Sequence, residues 1–426
     1  MKAILFCVTL ISTSCHSIFA EEEKAPTSRH NSLWLYDANP DHLWNRLHRA
    51  LFVRTSSDGR EFTHHIDPLY WPDTKHLLKE PSHGRALAVL DEFISKRGES
   101  QIEDPLKRAM LQKDLWALFD WNAWTADNWV HLNEHVPASR ALRERLAVLI
   151  KRLALTAEQV SALPDNYGAA VRSKTFPAQH SKGTFLPANL FSSDGPWVIF
   201  AGKAGAMVPV HTRTFGGRSV FFTLLNLPGG RAETEAFIKQ IGSNGARIPD
   251  GTQVALVRRA SIIDAAGRII PTAITESIQI RVMIKVPAEM DAKVHRNLGG
   301  EMDVMELTID RARLFSGLNG GLIEVGKNER GFNFLPGMNM SDGFEAFHDN
   351  PPPDPFKNMR HTISDCNGCH TSHSLLSLTN AGAASTRLPM PPFESYNQTI
   401  QPKMTFGWKH NQFDWGLLQG WFESLK

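Results

Sequence analysis

The sequence predicts a mixed α+β protein: a helical N-terminal region, a β-rich middle resembling an antiparallel sandwich or barrel, and a small, mainly helical C-terminal region. Three observations predict it. Apolar residues recur at helical spacing up to residue 165, most clearly as the stripe Leu142, Leu146, Leu149, Ile150 and Leu153. Short β-branched and aromatic runs broken by Gly, Pro and Asp then occupy residues 186–330. From residue 331 the chain is irregular, stiffened by Pro351-Pro352-Pro353 and Pro355, before a last apolar-faced helix. With 426 residues and 47.6 kDa the chain exceeds the size of one small core, so more than one domain is expected.

The first 20 residues read as a secretory signal peptide. Lys2 precedes the apolar run Ala3 to Ile11, and Ser17-Ile18-Phe19-Ala20 supplies small residues before Glu21-Glu22-Glu23. An apolar stretch of about ten residues is too short to span a bilayer. Lipoprotein anchoring through Cys15 is disfavoured, because Ser12 stands where that motif wants leucine. No other stretch approaches about 18 apolar residues, so no transmembrane segment is expected. The expected location is the periplasm or the extracellular space.

Residues 21–165 form the helical region, after a loose charged leader from Glu21 to Asn31. Asp104-Pro105 is a helix start leading into Leu106, Met110, Ala117 and Trp121. Thr156 and Gln159 form a capping box before Val160 and Leu163. Leu51-Phe52-Val53, the turn Asp58-Gly59 and Glu61-Phe62 read as a hairpin. The basic residues between 140 and 152 read as a solvated helix face.

In the middle region the predicted β-runs are Trp197–Phe200, Val208–Thr214, Val220–Leu225, Val254–Val257, Ile278–Val286 and Val304–Ile309. Ala266-Gly267 is the expected turn between Ser261–Ile263 and Arg268–Ile270, and Ala232–Ile241 is the one expected helix. The final helix is expected to be capped by Asn411 and to bury Trp415, Leu418, Trp421, Phe422 and Leu425. Gly416 and Gly420, one turn apart, would permit a close helix crossing.

Hydrophobic residues make up 42% and charged residues 21%, which excludes a disordered or collagen-like chain. The 46 basic and 44 acidic residues leave a net charge of +2, so the overall balance shows no footprint for nucleic acid or an anionic membrane. Of four cysteines, Cys7 and Cys15 fall in the leader. The remaining two stand in Cys366-Asn367-Gly368-Cys369-His370, a C-x-x-C-H string. Two thiols three residues apart on a helical turn can both reach one porphyrin and form thioether bonds to it. The histidine directly after is then placed as proximal iron ligand. Covalent attachment of one haem c through Cys366 and Cys369, with His370 on the iron, is the expected chemistry. A zinc site would want two further ligands of matching spacing, and a thioredoxin-like pair would want a strand just upstream.

On this motif the last 70 or so residues resemble a class I cytochrome c segment. The resemblance implies that the region 331–426 binds haem and that a methionine in a later loop is the sixth ligand. Lys403-Met404-Thr405-Phe406, just before the last helix, resembles the family's methionine loop, so Met404 is the first candidate. Met390, in Pro389-Met390-Pro391, is the rival. His361 and His410 remain alternatives, whereas His373 would lie on the same side of the iron as His370. The expected function is one-electron transfer, with a redox partner protein or a small-molecule electron donor as partner. Two alternatives stand beside it: a haem-dependent oxidoreductase or peroxidase with an open sixth site, and a non-haem secreted protein with a Cys366–Cys369 disulfide. Catalytic residues are not assigned.

Other strings carry less. His131-Leu132-Asn133-Glu134-His135 has the form of an inverted zinc-protease motif but reads as ordinary histidines at a helix end. Gly202-Lys203-Ala204-Gly205 reads as a turn, His64-His65 beside Asp67 as a polar cluster, and His211 as a satisfied sheet histidine.

Overall fold

The computed structural model describes residues 34–55, 61–63, 74–128, 136–181, 183–202, 209–241, 248–286, 301–327, 330–331, 360–361, 363, 393–395 and 397–425. They form a mixed α+β fold in which helices pack against one large antiparallel sheet.

The helical region begins with α1 (Leu43–Phe52), whose Leu43, Trp44, Leu47 and Leu51 line the buried face. The predicted hairpin is present as β1 (Val53–Thr55) against β2 (Glu61–Thr63), although Leu51 and Phe52 belong to the end of α1. Helix α2 (Ser82–Ser95) follows, then α3 (Pro105–Asn128), which starts as expected: Asp104 Oδ1 accepts from the Leu106 amide at 2.8 Å. Along α4 (Val136–Leu153) the predicted leucine stripe is buried. The capping box of Thr156 and Gln159 opens α5 (Ala157–Ser161), and α6 (Asn166–Ser173) ends the region. Helices α1 to α4 share one apolar core with Ile263 and Ile269 of the sheet.

The remaining elements in chain order are β3 (Val198–Gly202), α7 (Pro209–Thr214), β4 (Ser219–Asn226), α8 (Arg231–Gln240), β5 (Gln253–Ile263), β6 (Ile269–Lys285), β7 (Glu301–Ile309), α9 (Arg311–Phe315), β8 (Leu322–Glu324), β9 (Arg330–Gly331), β10 (Arg360–His361), β11 (Phe393–Ser395), α10 (Ile400–His410) and α11 (Phe413–Ser424). The sheet order is β11-β3-β4-β5-β6-β7-β8, every pair antiparallel. No second sheet faces it, and no pairing of β8 with β11 closes it, among the described residues. The expected sandwich or barrel is therefore an open meander covered by helices. The Ala266-Gly267 turn lies where predicted, with Asp264 Oδ1 accepting from the Ala266 and Arg268 amides at 3.0 and 2.8 Å.

The run Val208–Thr214 is not a strand. Residues 209–214 form α7, begun by Pro209, which suits a first helical position, and ended by Gly216 and Gly217 in left-handed conformation. Gly217 (φ 70°) is also a contact point: a Cβ there would lie 2.9 Å from the Cβ of Lys409.

The two faces of the sheet differ. One is apolar: Val220, Phe222, Leu224, Ala255, Val257, Ile278, Ile280, Val282, Met305 and Leu307 pack with Tyr167, Phe185 and Leu190. The other is apolar at the end under α8, where Val198, Phe200, Leu225, Val254 and Met283 meet Phe237 and Ile238. Towards α3 this second face becomes polar.

The described parts of the C-terminal region pack into the rest of the fold. β11 adds an edge strand beside β3, and Trp415, Leu418 and Phe422 of α11 enter the core of α1 to α4. The last helix departs from expectation at both ends. Its N-cap is Gln412, while Asn411 turns back so that its Nδ2 donates to the Gly407 carbonyl at 2.8 Å; Leu425 is exposed. Gly416 and Gly420 are exposed as well, with no described atom within 4 Å of an added Cβ, so they mark no close crossing among the described residues.

Candidate functional site

Cys366, Cys369, His370 and the rival Met390 lie outside the described residues, as do His373, the His131–His135 string, and His64, His65 and Asp67. Met404 is described. It sits within α10 rather than in a loop, half-buried, and none of the described apolar clusters includes it. His410, at the end of α10, has its ring 5.5 Å from Trp415. His361 lies on β10 opposite Arg330. The described residues contain no group of three or more His, Cys, Asp or Glu that could hold a metal ion.

The structure assembles instead a buried polar system between α3, the polar face of the sheet and the C-terminal helices. Its origin is α3, whose residues 109–120 are all buried and which carries Gln112, Lys113, Asp114, Asp120 and Asn122 as buried polar side chains. A buried charge must be paired. Lys113, Asp114 and Asp120 each have a charged partner, and Gln112 and Asn122 donate to backbone carbonyls. Asp120 Oδ1 and Asn122 Oδ1 have no hydrogen-bond partner among the described residues. Gln112 Nε2 donates to the carbonyls of Ile150 and Ile263 at 3.0 and 2.8 Å, which ties α3 to α4 and to the end of β5. Lys113 Nζ donates to the Arg218 carbonyl at 3.0 Å and to Ser219 Oγ at 3.1 Å, and lies 3.4 Å from Glu276. Ser219 Oγ in turn donates to Glu276 at 2.7 Å, and Arg258 Nε lies 3.6 Å from that carboxylate. Asp114 accepts from both terminal guanidinium nitrogens, Nη1 and Nη2, of Arg311. The Tyr36 hydroxyl nearby is pushed above its ordinary value, first by burial and then by Asp114.

Asp120 joins three distant segments. Arg218 Nη1 donates to its Oδ2 at 2.6 Å, and Lys409 Nζ donates to the same oxygen at 2.7 Å while also bonding Asp414. The Lys409 ammonium stands 5.6 Å from the centre of the Trp116 ring. Burial, with Asp414 beside it, pushes the Asp120 carboxyl up to about 7 against the opposing pull of Lys409 and Arg218. Losing either partner of such a pair leaves a buried unpaired charge, at a cost of about 3–5 kcal/mol.

The polar face continues across the sheet. Cross-strand register places Thr223, Leu256, Gln279 and Glu306 in one row, and Phe221, Arg258, Ser277 and Thr308 in the next. Arg281 Nη2 donates to Gln279 Oε1 at 2.5 Å, and Gln279 Nε2 donates to Glu306 at 3.2 Å. Above these rows α7 contributes His211, whose ring is 5.3 Å from Phe221, and Phe215 follows it, with the Arg258 guanidinium 4.3 Å from its ring centre. Burial first, then Arg281 and Arg258, pulls the His211 imidazole down to about 4, so it is neutral near pH 7. It stands on a helix over the sheet rather than in the predicted strand. Chemically, this face offers fixed positive charge and a neutral, half-buried imidazole.

No family model, no curated protein and no solved structure matches this chain.

Sequence reasoning missed this system. The available signal was the charged trio Lys113, Asp114 and Asp120, with Gln112 and Asn122, inside a run from Ala109 to Ala123 whose other ten residues are apolar, with no polar face on which to place them.

Proposed function

We propose that this chain is an exported monohaem c-type cytochrome-like protein that passes single electrons through a covalently attached haem c, with a cytochrome c-like C-terminal region. The observation that carries the reading is Cys366-Asn367-Gly368-Cys369-His370, in a chain whose other cysteines both fall in the leader-like first 20 residues. The donor chemistry fits the group: two thiols for thioether bonds and an adjacent imidazole for the iron. Haem c, when bound, supplies a reversible one-electron couple. Cys366 and Cys369 hold it and His370 ligates it. Met404 is the preferred sixth ligand on the resemblance of Lys403-Met404-Thr405-Phe406 to the family's methionine loop, although the residue sits half-buried within α10; Met390 is the rival. A thioether there would raise the reduction potential. The electron is exchanged with a redox partner protein or a small-molecule donor. No helix among the described residues is long and apolar enough to cross a membrane.

The test is expression in a host that matures c-type haem, followed by a pyridine haemochrome assay. Covalent haem is expected in the wild type and absent from Cys366→Ala/Cys369→Ala. The oxidised protein should show the weak far-red band of methionine ligation, lost in Met404→Ala and kept in Met390→Ala. High-spin haem that readily binds cyanide would replace electron transfer by oxidoreductase or peroxidase chemistry. Exported protein without covalent haem would overturn the reading and leave a Cys366–Cys369 disulfide.

A further inference from the structure

The buried side of α10 is polar. Gln401, Thr405 and Lys409, spaced i, i+4 and i+8, are 4%, 5% and 0% exposed. Ile400, Met404 and Trp408 repeat that spacing one position earlier and form a flank of the helix in which all three are half-buried. The other flank is covered, since Phe406 packs against the apolar clusters of the helical core and of the sheet. None of the described apolar clusters includes Ile400, Met404 or Trp408. A helix that packs by apolar burial alone turns such a stripe inwards.

Two contacts set the rotation of α10. Lys409 Nζ bonds Asp120 and Asp414 and lies 5.6 Å from the Trp116 ring centre, so turning the helix would strand a buried ammonium. Gly217 lets the helix come close: a Cβ there would lie 2.9 Å from Lys409 Cβ and 3.3 Å from Trp408 Cε3. Trp408 thus meets the turn after α7 with one ring edge. Charge pairing rather than apolar burial orients the helix, and the flank of Ile400, Met404 and Trp408 is left aside from the described core.

We infer that this flank is one wall of the haem site, with Ile400 and Trp408 bearing on the porphyrin one helical turn to either side of Met404. The inference rests on the haem reading above and extends it to two residues outside the C-x-x-C-H string. Donor chemistry and size support it. A thioether suits iron, and an aliphatic side chain and an indole suit an apolar macrocycle. From Ile400 to Trp408 the flank runs about 12 Å, at about 1.5 Å per residue, comparable to the width of a porphyrin.

The experiment is hydroxyl-radical footprinting of the holoprotein against the haem-free Cys366→Ala/Cys369→Ala chain, read by peptide mass spectrometry. Ile400, Met404 and Trp408 should be labelled several-fold less with haem present, whereas Trp34, 39% exposed, should be labelled alike in both. Buried Trp44 should stay unlabelled in both, which reports that the haem-free chain is folded. Ile400→Ala and Trp408→Ala should keep covalent haem by the pyridine haemochrome assay but lower its reduction potential, because a wetter site favours the more charged ferric form. Trp408→Phe should restore most of that loss, and Phe413→Ala, at a residue 62% exposed on the next helix, should cause none. Exported protein without covalent haem would overturn the haem reading and this wall with it. Covalent haem with equal labelling of the three residues in both proteins, or with wild-type potential in Ile400→Ala and Trp408→Ala, would overturn the wall alone. Labelling that is equally low in the haem-free chain and rises on dilution would give the flank to a second copy of the chain and likewise overturn the wall.

Discussion

Buried Asp120 and half-buried His211 are titratable groups of the same polar system, and they respond to pH in opposite directions. The Asp120 carboxyl is raised from 3.8 to about 7, so the folded state binds its proton more tightly than the unfolded chain does. Its contribution to stability is full below about pH 4 and is lost as pH rises through 7. His211 is lowered from 6.5 to about 4. Its contribution is present above pH 6.5 and is lost as pH falls through 4. Between about pH 4 and 7 the two oppose each other, each with a limiting slope of about 1.4 kcal/mol per pH unit. Urea denaturation across that range should therefore give stability that rises with pH in Asp120→Asn and falls with pH in His211→Gln. Identical profiles in wild type and both variants would show that neither group titrates there. Asp120 itself stands in an apolar run that reveals burial, but nothing near it in sequence reveals Lys409 as its partner.

At the scale of elements, local signals read well wherever the local chain decides the outcome. Asp104-Pro105 starts α3 and Thr156 with Gln159 caps α5, because a cap is satisfied within three or four residues. They failed at Val208–Thr214, where β-branched residues suggest a strand but Pro209, Gly216 and Gly217 bound a short helix seated on Phe221. They failed again for the glycines of α11, whose spacing suggests a crossing although both face outwards. An exposed glycine in a helix interior costs about 0.5–1 kcal/mol relative to alanine. Gly416→Ala and Gly420→Ala should each raise stability by about that amount, read as a shift of the urea midpoint. Gly217→Ala should do the reverse, losing roughly 1–3 kcal/mol, because its φ of 70° and the Lys409 Cβ at 2.9 Å leave no room for a side chain. A destabilising Gly416→Ala would mean that another surface packs on that face of α11.

Across the whole molecule, the last 34 residues complete two packing layers at once. β11 covers the β3 edge, α11 fills the helical core through Trp415, Leu418 and Phe422, and Lys409 closes the charge system. A chain ending at residue 392 should therefore lose cooperative unfolding by circular dichroism rather than keep a folded remainder. Retention of a sharp transition near the wild-type temperature would show that the C-terminal helices are dispensable.

The sequence by itself determined whatever rests on neighbouring residues. That covers the α+β class, from the change of hydrophobic period, the start of α3, the capping box of α5 and the Ala266-Gly267 turn, and it is five consecutive residues that carry the haem proposal. Only the tertiary structure decided that the β-rich middle is one open sheet under helices, that one sheet face is polar, and which residues meet there. Lys409 and Asp120 are 289 positions apart, and Lys113 and Arg218 are 105 apart. No local spacing encodes such a meeting. It is selected because a charge carried into the core by α3 is tolerable only where the rest of the chain delivers its partner.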